Sequence, residues 1–430
     1  MMRVSFILVA VLSARAFGDG EFLRPLHGMK GLSIRCDTEE KLALVHSYEN
    51  HSDFDFLSAT NVLGDEIKVL VAGNSFDEFK TVLDQHQISY SVFVENVTEE
   101  IHEEFSRNEI ARHMALFTRE HKSSRFFSYY PRFAEIERYL KDLAREYSSI
   151  TTLEKIGSSY EGNAIWALKI SSGGGGNKPA ILIDAGIHAR EWIAPTTALY
   201  AIHQLVLNKT NSALYEDIDW FIIPSLNPDG YEYCHTTYRM WRKTRSPNPG
   251  SSCWGTDANR NFGYKWMTTG ASSNPCTEIY AGMKAFSENE TISLREYVLA
   301  NKKTIKAYLT LHSYGQYMLH PWGFTNELPE NEPELRAVAY AAEKALSLVR
   351  GTRYTIGSST NVLYAAAGGS DDWVMAVGGV PLSYTVELPR GGNLGFNPPQ
   401  SSIEPVGMET FEAFKVFGKY VATKYGKQNL

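Results

Sequence analysis

The sequence predicts an α/β protein in two units, a small two-layer α+β unit followed by a larger one built on an open sheet, and three observations carry that reading. Residues 180–184, Ala180-Ile181-Leu182-Ile183-Asp184, form a short, almost wholly apolar run of the kind found in strands covered on both faces. Residues 305–311 alternate like a strand. Between residues 20 and 125, three strand-like runs interleave with two amphipathic helical stretches.

A chain of 430 residues has room for about two or three such units. With 43% hydrophobic and 21% charged residues it has the composition of a globular protein, neither disordered nor fibrous. A formal net charge of −7 excludes nucleic acid as the expected partner, because that binding needs a cationic face, and the largest basic cluster is the RKTR at 242–245. Met1-Met2-Arg3, the apolar stretch 4–12 and the small-x-small pattern Ala14-Arg15-Ala16 read as a secretory signal peptide over residues 1–16. No segment approaches the roughly 18–20 uninterrupted apolar residues of a membrane span, so a secreted, soluble product without a membrane partner is expected. Sequons at Asn50, Asn96, Asn208 and Asn289 fit that route. Four cysteines are too few for a disulfide scaffold, which leaves stabilisation to a large core.

Taken in order, residues 32–34, 67–71 and 90–94 read as strands and 39–48 and 75–85 as helices. A helix over 101–117 leads out of this unit into the polar stretch 118–125, whose Arg119, Lys122 and Arg125 offer cuts to a trypsin-like protease or serve a plain hydrophilic linker. After strand 180–184 a helix is expected through residue 207. At the strand's mouth lies GIHAREW, 186–192, with His188 and Glu191 three positions apart. On a helical turn that offset brings both side chains to one side, and an imidazole with a carboxylate suits Zn²⁺, whose catalytic sites take three protein ligands and leave a position for water. The pair alone equally describes a solvated helix face. His312, ending strand 305–311 and followed by Ser313 and Tyr314, supplies the third candidate, because open α/β sheets assemble sites at their carboxyl edge from residues distant in sequence. In Tyr384-Thr385-Val386-Glu387-Leu388 a solitary acid interrupts an apolar strand; it is either functional, since burial without a partner is costly, or turned to solvent at an edge.

The blocks SYEG (159–162), GIHAREW, NPDG (227–230), RMWRKTRS (239–246), DANRNF (257–262), LHSYGQ (311–316), YAAAGGSDDW (364–373) and TVEL (385–388) give the chain its resemblance. In them it resembles the zinc metallocarboxypeptidases of the digestive procarboxypeptidase type, secreted as proenzymes. The blocks span nearly all of 126–430 in that family's order. The resemblance implies a mixed eight-stranded sheet sandwiched by helices, preceded by a small open α+β sandwich that caps the cleft. It divides the chain into an activation domain (20–105), a connecting helix and cleavage linker (106–125) and a catalytic domain (126–430). One Zn²⁺ per chain is implied, held by His188, Glu191 and His312, with Glu387 as general base. Arg242 would polarise the scissile carbonyl and support the developing oxyanion. Arg260, with Asn259, would clamp a peptide's terminal carboxylate through its planar fork, and the Tyr364 phenol would close over it. Arg239, Ser313 and Tyr314 would lie along the substrate path. Asp257 would take the other ring proton of His188 and fix its tautomer. Cys253 and Cys276 would be bonded, closing a loop worth roughly 3 kcal/mol, with Cys36 and Cys234 as two separate buried thiols. Peptide C-termini as substrate, a trypsin-like activating protease and a monomeric state complete the expectation.

Selectivity for the terminal side chain turns on Asp371, which matches the floor of the family's specificity pocket. An acid there favours terminal Lys or Arg by direct ion pairing. Ser370-Asp371-Asp372 is also a good helix start, where acids cap exposed amides, and Gly323 in HPWGF resembles the members that prefer apolar termini, which keeps an aromatic or aliphatic preference as the alternative. The stretch Pro389-Arg390-Gly391-Gly392-Asn393 departs from the family's commoner turn. A binding protein on the same fold without activity is the rival reading, and the retention of all the catalytic residue types together speaks for an enzyme.

Overall fold

Two sheets organise the chain, whose computed structural model describes residues 26–117, 126–173 and 178–426. The expected signal peptide and the linker residues Arg119, Lys122 and Arg125 lie outside the described residues. In the first sheet β1 (Lys30–Arg35), β2 (Phe54–Ser58), β3 (Glu66–Val71) and β4 (Ser89–Val94) run in the order β2-β3-β1-β4, all antiparallel. Alternation along the strands splits the sheet's side chains. Leu32, Ile34, Ile67, Val69 and Val71 pack with Leu42 and Val45 of α1 (Glu39–His46) and with Phe76, Phe79 and Leu83 of α2 (Gly73–Gln85). From the opposite face, Leu57, Leu70 and Val94 join the larger unit's core. Strand β2 is not read from the sequence, because five residues broken by a bulge between Phe56 and Ser58 leave little alternation to detect. The next helix, α3 (Val97–Phe117), is continuous across residues 105 and 106, the expected boundary of the first domain.

The second sheet has eight strands: β5 (Thr151–Ser158), β6 (Ala164–Ile170), β7 (Ala180–Ala185), β8 (Asp219–Ile223), β9 (Ile305–Ser313), β10 (Tyr317–His320), β11 (Thr355–Ser358) and β12 (Leu382–Leu388). Their order is β11-β10-β12-β9-β7-β8-β6-β5, parallel at the centre and antiparallel where β10 meets β12 and where β6 meets β8 and β5. The mixed sheet expected from the resemblance is the one observed. Helices cover both faces, as the fully buried and almost wholly apolar β7 requires. α4 (Phe133–Glu146), α5 (Ile193–Val206), α8 (Glu332–Arg350) and α10 (Ile403–Tyr425) lie on the face of Ile181 and Ile183, and α6 (Pro228–Thr236) joins that cluster through Tyr231. α7 (Asn289–Asn301) and α9 (Ser370–Ala376) lie on the face of Ala180 and Leu182. Cys253 and Cys276 are bonded, and Cys36 and Cys234 are separate buried thiols. No helix among the described residues is long and apolar enough to cross a membrane.

The helix expected directly after β7 begins later. Gly186, at φ +68°, turns the chain sharply off the strand, in a space that a Cβ would narrow to 3.1 Å from Pro195. Residues 186–192 are irregular, and α5 starts only at Ile193, with Pro195 in its first turn. His188 and Glu191 therefore sit on a turn rather than on a helix face.

Candidate metal centre and active site

Three central strand ends bring the site together. β7 delivers the 186–192 turn, and β9 delivers His312. Parallel pairing with β12 sets Glu387 beside His312 in register. His188, Glu191 and His312 are all buried, and each offers a ligand atom within 4.8 Å of the others. His188 Nδ1 lies 2.8 Å from Glu191 Oε1 and 3.1 Å from His312 Nδ1, while His312 Nδ1 lies 3.2 Å from Glu191 Oε2. The Ser313 backbone N–H donates to Glu191 Oε2 at 3.2 Å and holds the carboxylate in place. Asp257 Oδ1 is 3.1 Å from His188 Nε2, and as a carboxylate it can only accept, so the ring proton sits on Nε2 and the Nδ1 lone pair faces inward. Two imidazole nitrogens and a carboxylate converging on one point are the donor set of a tetrahedral zinc site.

The surrounding charges are set by burial and by one another. Burial alone would raise the Asp257 carboxyl, but the Arg242 guanidinium, donating from Nε at 3.1 Å and Nη2 at 2.9 Å, and the His188 ring hold it well below the usual range. Burial and the Arg242 charge lower His188. Burial would also lower His312, but the Glu191 carboxylate outweighs it and lifts the ring to about 9. Glu387 goes the other way from Asp257: burial pushes it up to about 7, the His312 and Arg242 charges pulling against burial and Glu191 adding to it. Its Oε2 is buried with no hydrogen-bond partner among the described residues.

His188, Glu191, Arg242, His312 and Glu387 line a cavity of about 510 Å³ together with Asn259, Arg260, Ser313, Tyr314, Tyr364 and Asp371. Arg260 donates to the carbonyls of Gly270 and Asn259, at 2.8 and 3.1 Å, and Asn259 Oδ1 accepts the Ser370 N–H at 2.9 Å. Asp371 is buried and accepts from the Thr385 hydroxyl at 3.1 Å, whereas Asp372 takes the Gly323 N–H at 2.9 and 3.0 Å. The residue before α9, Gly369, caps it with no side chain, so the two acids divide the work: Asp372 binds a neighbouring loop and Asp371 faces the cavity.

Arg239 does not line this cavity. Its guanidinium is fully buried beneath the small unit, bound in parallel by Glu104 of α3 at 2.9 and 2.9 Å and donating to the Phe396 and Arg190 carbonyls. Strand β2 closes the cavity from outside, contributing Phe54, Phe56, Leu57 and Ser58 to its lining. Sequence reasoning passed over Arg190, between the two candidate ligands, whose Nη1 donates to both oxygens of Asp55 on β2 at 2.9 and 2.6 Å. The available signal was a cation inside a motif otherwise apolar or metal-binding.

Comparisons with known proteins agree with this geometry. The zinc carboxypeptidase family profile matches residues 136–413, and the carboxypeptidase activation peptide profile matches 32–104. Carboxypeptidase B of Astacus astacus is 48% identical over 302 residues, covering 69% of this chain and 98% of that protein. Carboxypeptidase B of Homo sapiens is 35% identical over 428 residues, covering 98% and 99%. The crystal structure of carboxypeptidase A from Helicoverpa armigera superposes with a TM-score of 0.87 at 33% identity, covering 93% of this chain and 99% of that one. With the zinc carboxypeptidase profile over most of its length, an activation peptide profile before it and the same fold as a carboxypeptidase, the chain belongs to the zinc carboxypeptidases, as a metallocarboxypeptidase made as a proenzyme with an activation peptide.

Proposed function

We propose that the protein is a secreted, monomeric exopeptidase that removes C-terminal Lys or Arg from peptides, with His188, Glu191 and His312 as its zinc ligands. The observation that carries this reading is the convergence of three ligand atoms beside Glu387, in a cavity that Asp371 also lines. Zinc bound there supplies Lewis acidity toward a water and the scissile carbonyl. Glu387 takes the water's proton and returns one to the leaving amine, a task suited to a carboxyl lifted to about 7, close to the operating pH. Arg242, anchored by Asp257, presents charge to the developing oxyanion. Arg260 and Asn259 hold the substrate's terminal carboxylate, Tyr364 closes over it, and Ser313 and Tyr314 border the path behind it. Arg239 is held out of that path in the precursor. A trypsin-like protease would activate the precursor by cutting near Arg119, Lys122 or Arg125.

Asp371 supports the basic preference because, among the described residues, no ion pair engages it although it is buried at the cavity wall. The names of the relatives include both carboxypeptidase A and B, so the assay must separate the two preferences. Activated protein should contain about one zinc per chain, lost in His312→Ala. It should cleave a blocked dipeptide ending in Arg in preference to one ending in Phe, and Asp371→Ile should reverse that order. Full zinc occupancy in His312→Ala would refute the ligand set, and a wild-type preference for Phe would refute the basic specificity.

A further inference from the structure

The outer nitrogen of His312 leads to a second buried acid. On β9, Tyr308, Thr310 and His312 are spaced two apart and share one face. Parallel pairing with β7 sets Asp184 beside Thr310 in register. His312 Nε2 lies 3.3 Å from Thr310 Oγ1, and that hydroxyl donates to Asp184 Oδ1 at 2.8 Å. The Tyr308 hydroxyl donates to the other oxygen, Asp184 Oδ2. All four side chains are 0–1% exposed.

With its one O–H donating to the carboxylate, the Thr310 hydroxyl has only lone pairs left toward His312 and can only accept there. The ring must then carry its proton on Nε2 and turn the Nδ1 lone pair inward, where the donor atoms of His188 and Glu191 converge. A buried carboxylate satisfied by two hydroxyls, with no ion pair among the described residues, is costly in a sheet core that apolar residues would fill. Its position behind a ligand explains it better than packing does.

We propose that Asp184, acting through Thr310, is a positioning residue that fixes the tautomer and orientation of His312 and so sets zinc affinity, a role resting on the assignment of His312 as a ligand. His188 receives the same service directly from Asp257, so the two imidazoles are fixed by different devices: one by a carboxylate, the other by a carboxylate relayed through a hydroxyl. Tyr308 steadies the relay by occupying the far oxygen of Asp184.

The test is the zinc affinity of the activated protein, measured by chelator competition, together with the visible spectrum of its cobalt-loaded form. Thr310→Val keeps the shape and removes the hydroxyl, and should weaken zinc binding about 10- to 100-fold, the usual effect of losing an outer partner, while shifting the cobalt bands. Thr310→Ser should restore both. Affinity within about twofold of wild type in Thr310→Val, or a Ser variant as weak as the Val variant, would overturn the proposal. Should Thr310→Val fail to fold, Asp184→Asn decides: weaker zinc binding supports the relay and unchanged binding refutes it. If His312→Ala retains full zinc, the ligand assignment and this proposal fall together; if it loses zinc while both variants bind normally, only the relay falls.

Discussion

Buried charge is handled in two opposite ways in this molecule, at the metal pocket and at the seam between the two units. At the seam, Arg239 has every guanidinium nitrogen engaged, by the Glu104 carboxylate and two carbonyls, and its plane stacks 3.8 Å from the centre of the Trp192 ring. In the pocket, two imidazole nitrogens stand 3.1 Å apart beside a single carboxylate, and Glu387 has an unpartnered oxygen. Satisfied charges hold surfaces together, whereas unsatisfied ones mark where a cation and a substrate are to be received. The seam thus reads as the latch and the pocket as the machine it covers.

The largest effect should come from the pocket. Glu387→Gln keeps the side chain's shape and removes its capacity as a base, so kcat of the activated enzyme should fall by about 10²–10⁴ with zinc content unchanged. A fall of only a fewfold would mean that the unpartnered oxygen is incidental and that another group accepts the proton.

At the seam the expected loss is in binding. Glu104→Ala leaves the Arg239 cation buried and unpaired, a change that typically costs about 3–5 kcal/mol. The small unit should then dissociate more readily, and the uncut variant precursor should be more active on a small substrate than the uncut wild-type precursor. A Glu104→Ala precursor no more active and no less heat-stable than wild type would show that Asp55–Arg190 and the apolar contacts hold the cap without the latch.

The sequence carried the pocket far better than the seam, for a physical reason. β7, β9 and β12 are buried central strands whose apolar runs and terminal polar residues are local patterns, so their ends, and with them His188, Glu191, His312 and Glu387, can be located by reading along the chain. The Arg239–Glu104 pair joins residues 135 apart, and no local pattern encodes it. Resemblance within RMWRKTRS therefore puts Arg239 on the substrate path with its neighbours, whereas the fold buries it against Glu104. The spacing of His188 and Glu191 suits a helix, but the guide to the true start is Pro195, which belongs to a helix's first turn. Asp371 and Asp372 are both good helix-start acids by local pattern, and in the fold the Gly323 loop takes Asp372 and leaves Asp371 to the cavity.

The smallest expected effect concerns proton binding in the metal-free pocket, where the contrast between satisfied and unsatisfied charge becomes pH-dependent. His312 in the fold holds its proton up to about 9 because Glu191 lies beside it, against about 6.5 in an unfolded chain. Below pH 6.5 the ring is charged in both states and the attraction is fully present; as pH rises through 9 the folded state gives up its proton and the stabilisation, worth about 3 kcal/mol at most, disappears. His188, lowered by burial, acts in the opposite sense, and its contribution is complete once pH has passed the unfolded value of about 6.5. Glu290, pushed up to about 8 by burial, also weakens the fold as pH rises, but it lies outside the ligand set and contributes equally with or without metal. In the zinc-loaded protein the cation takes the proton's place, so the His312 contribution should vanish. The difference in melting temperature between loaded and metal-free protein should therefore widen by several degrees from pH 6.5 to 9. A difference that stays constant over that window would show that Glu191 does not hold a proton on His312, and that the pocket's donors are kept apart by packing rather than by charge.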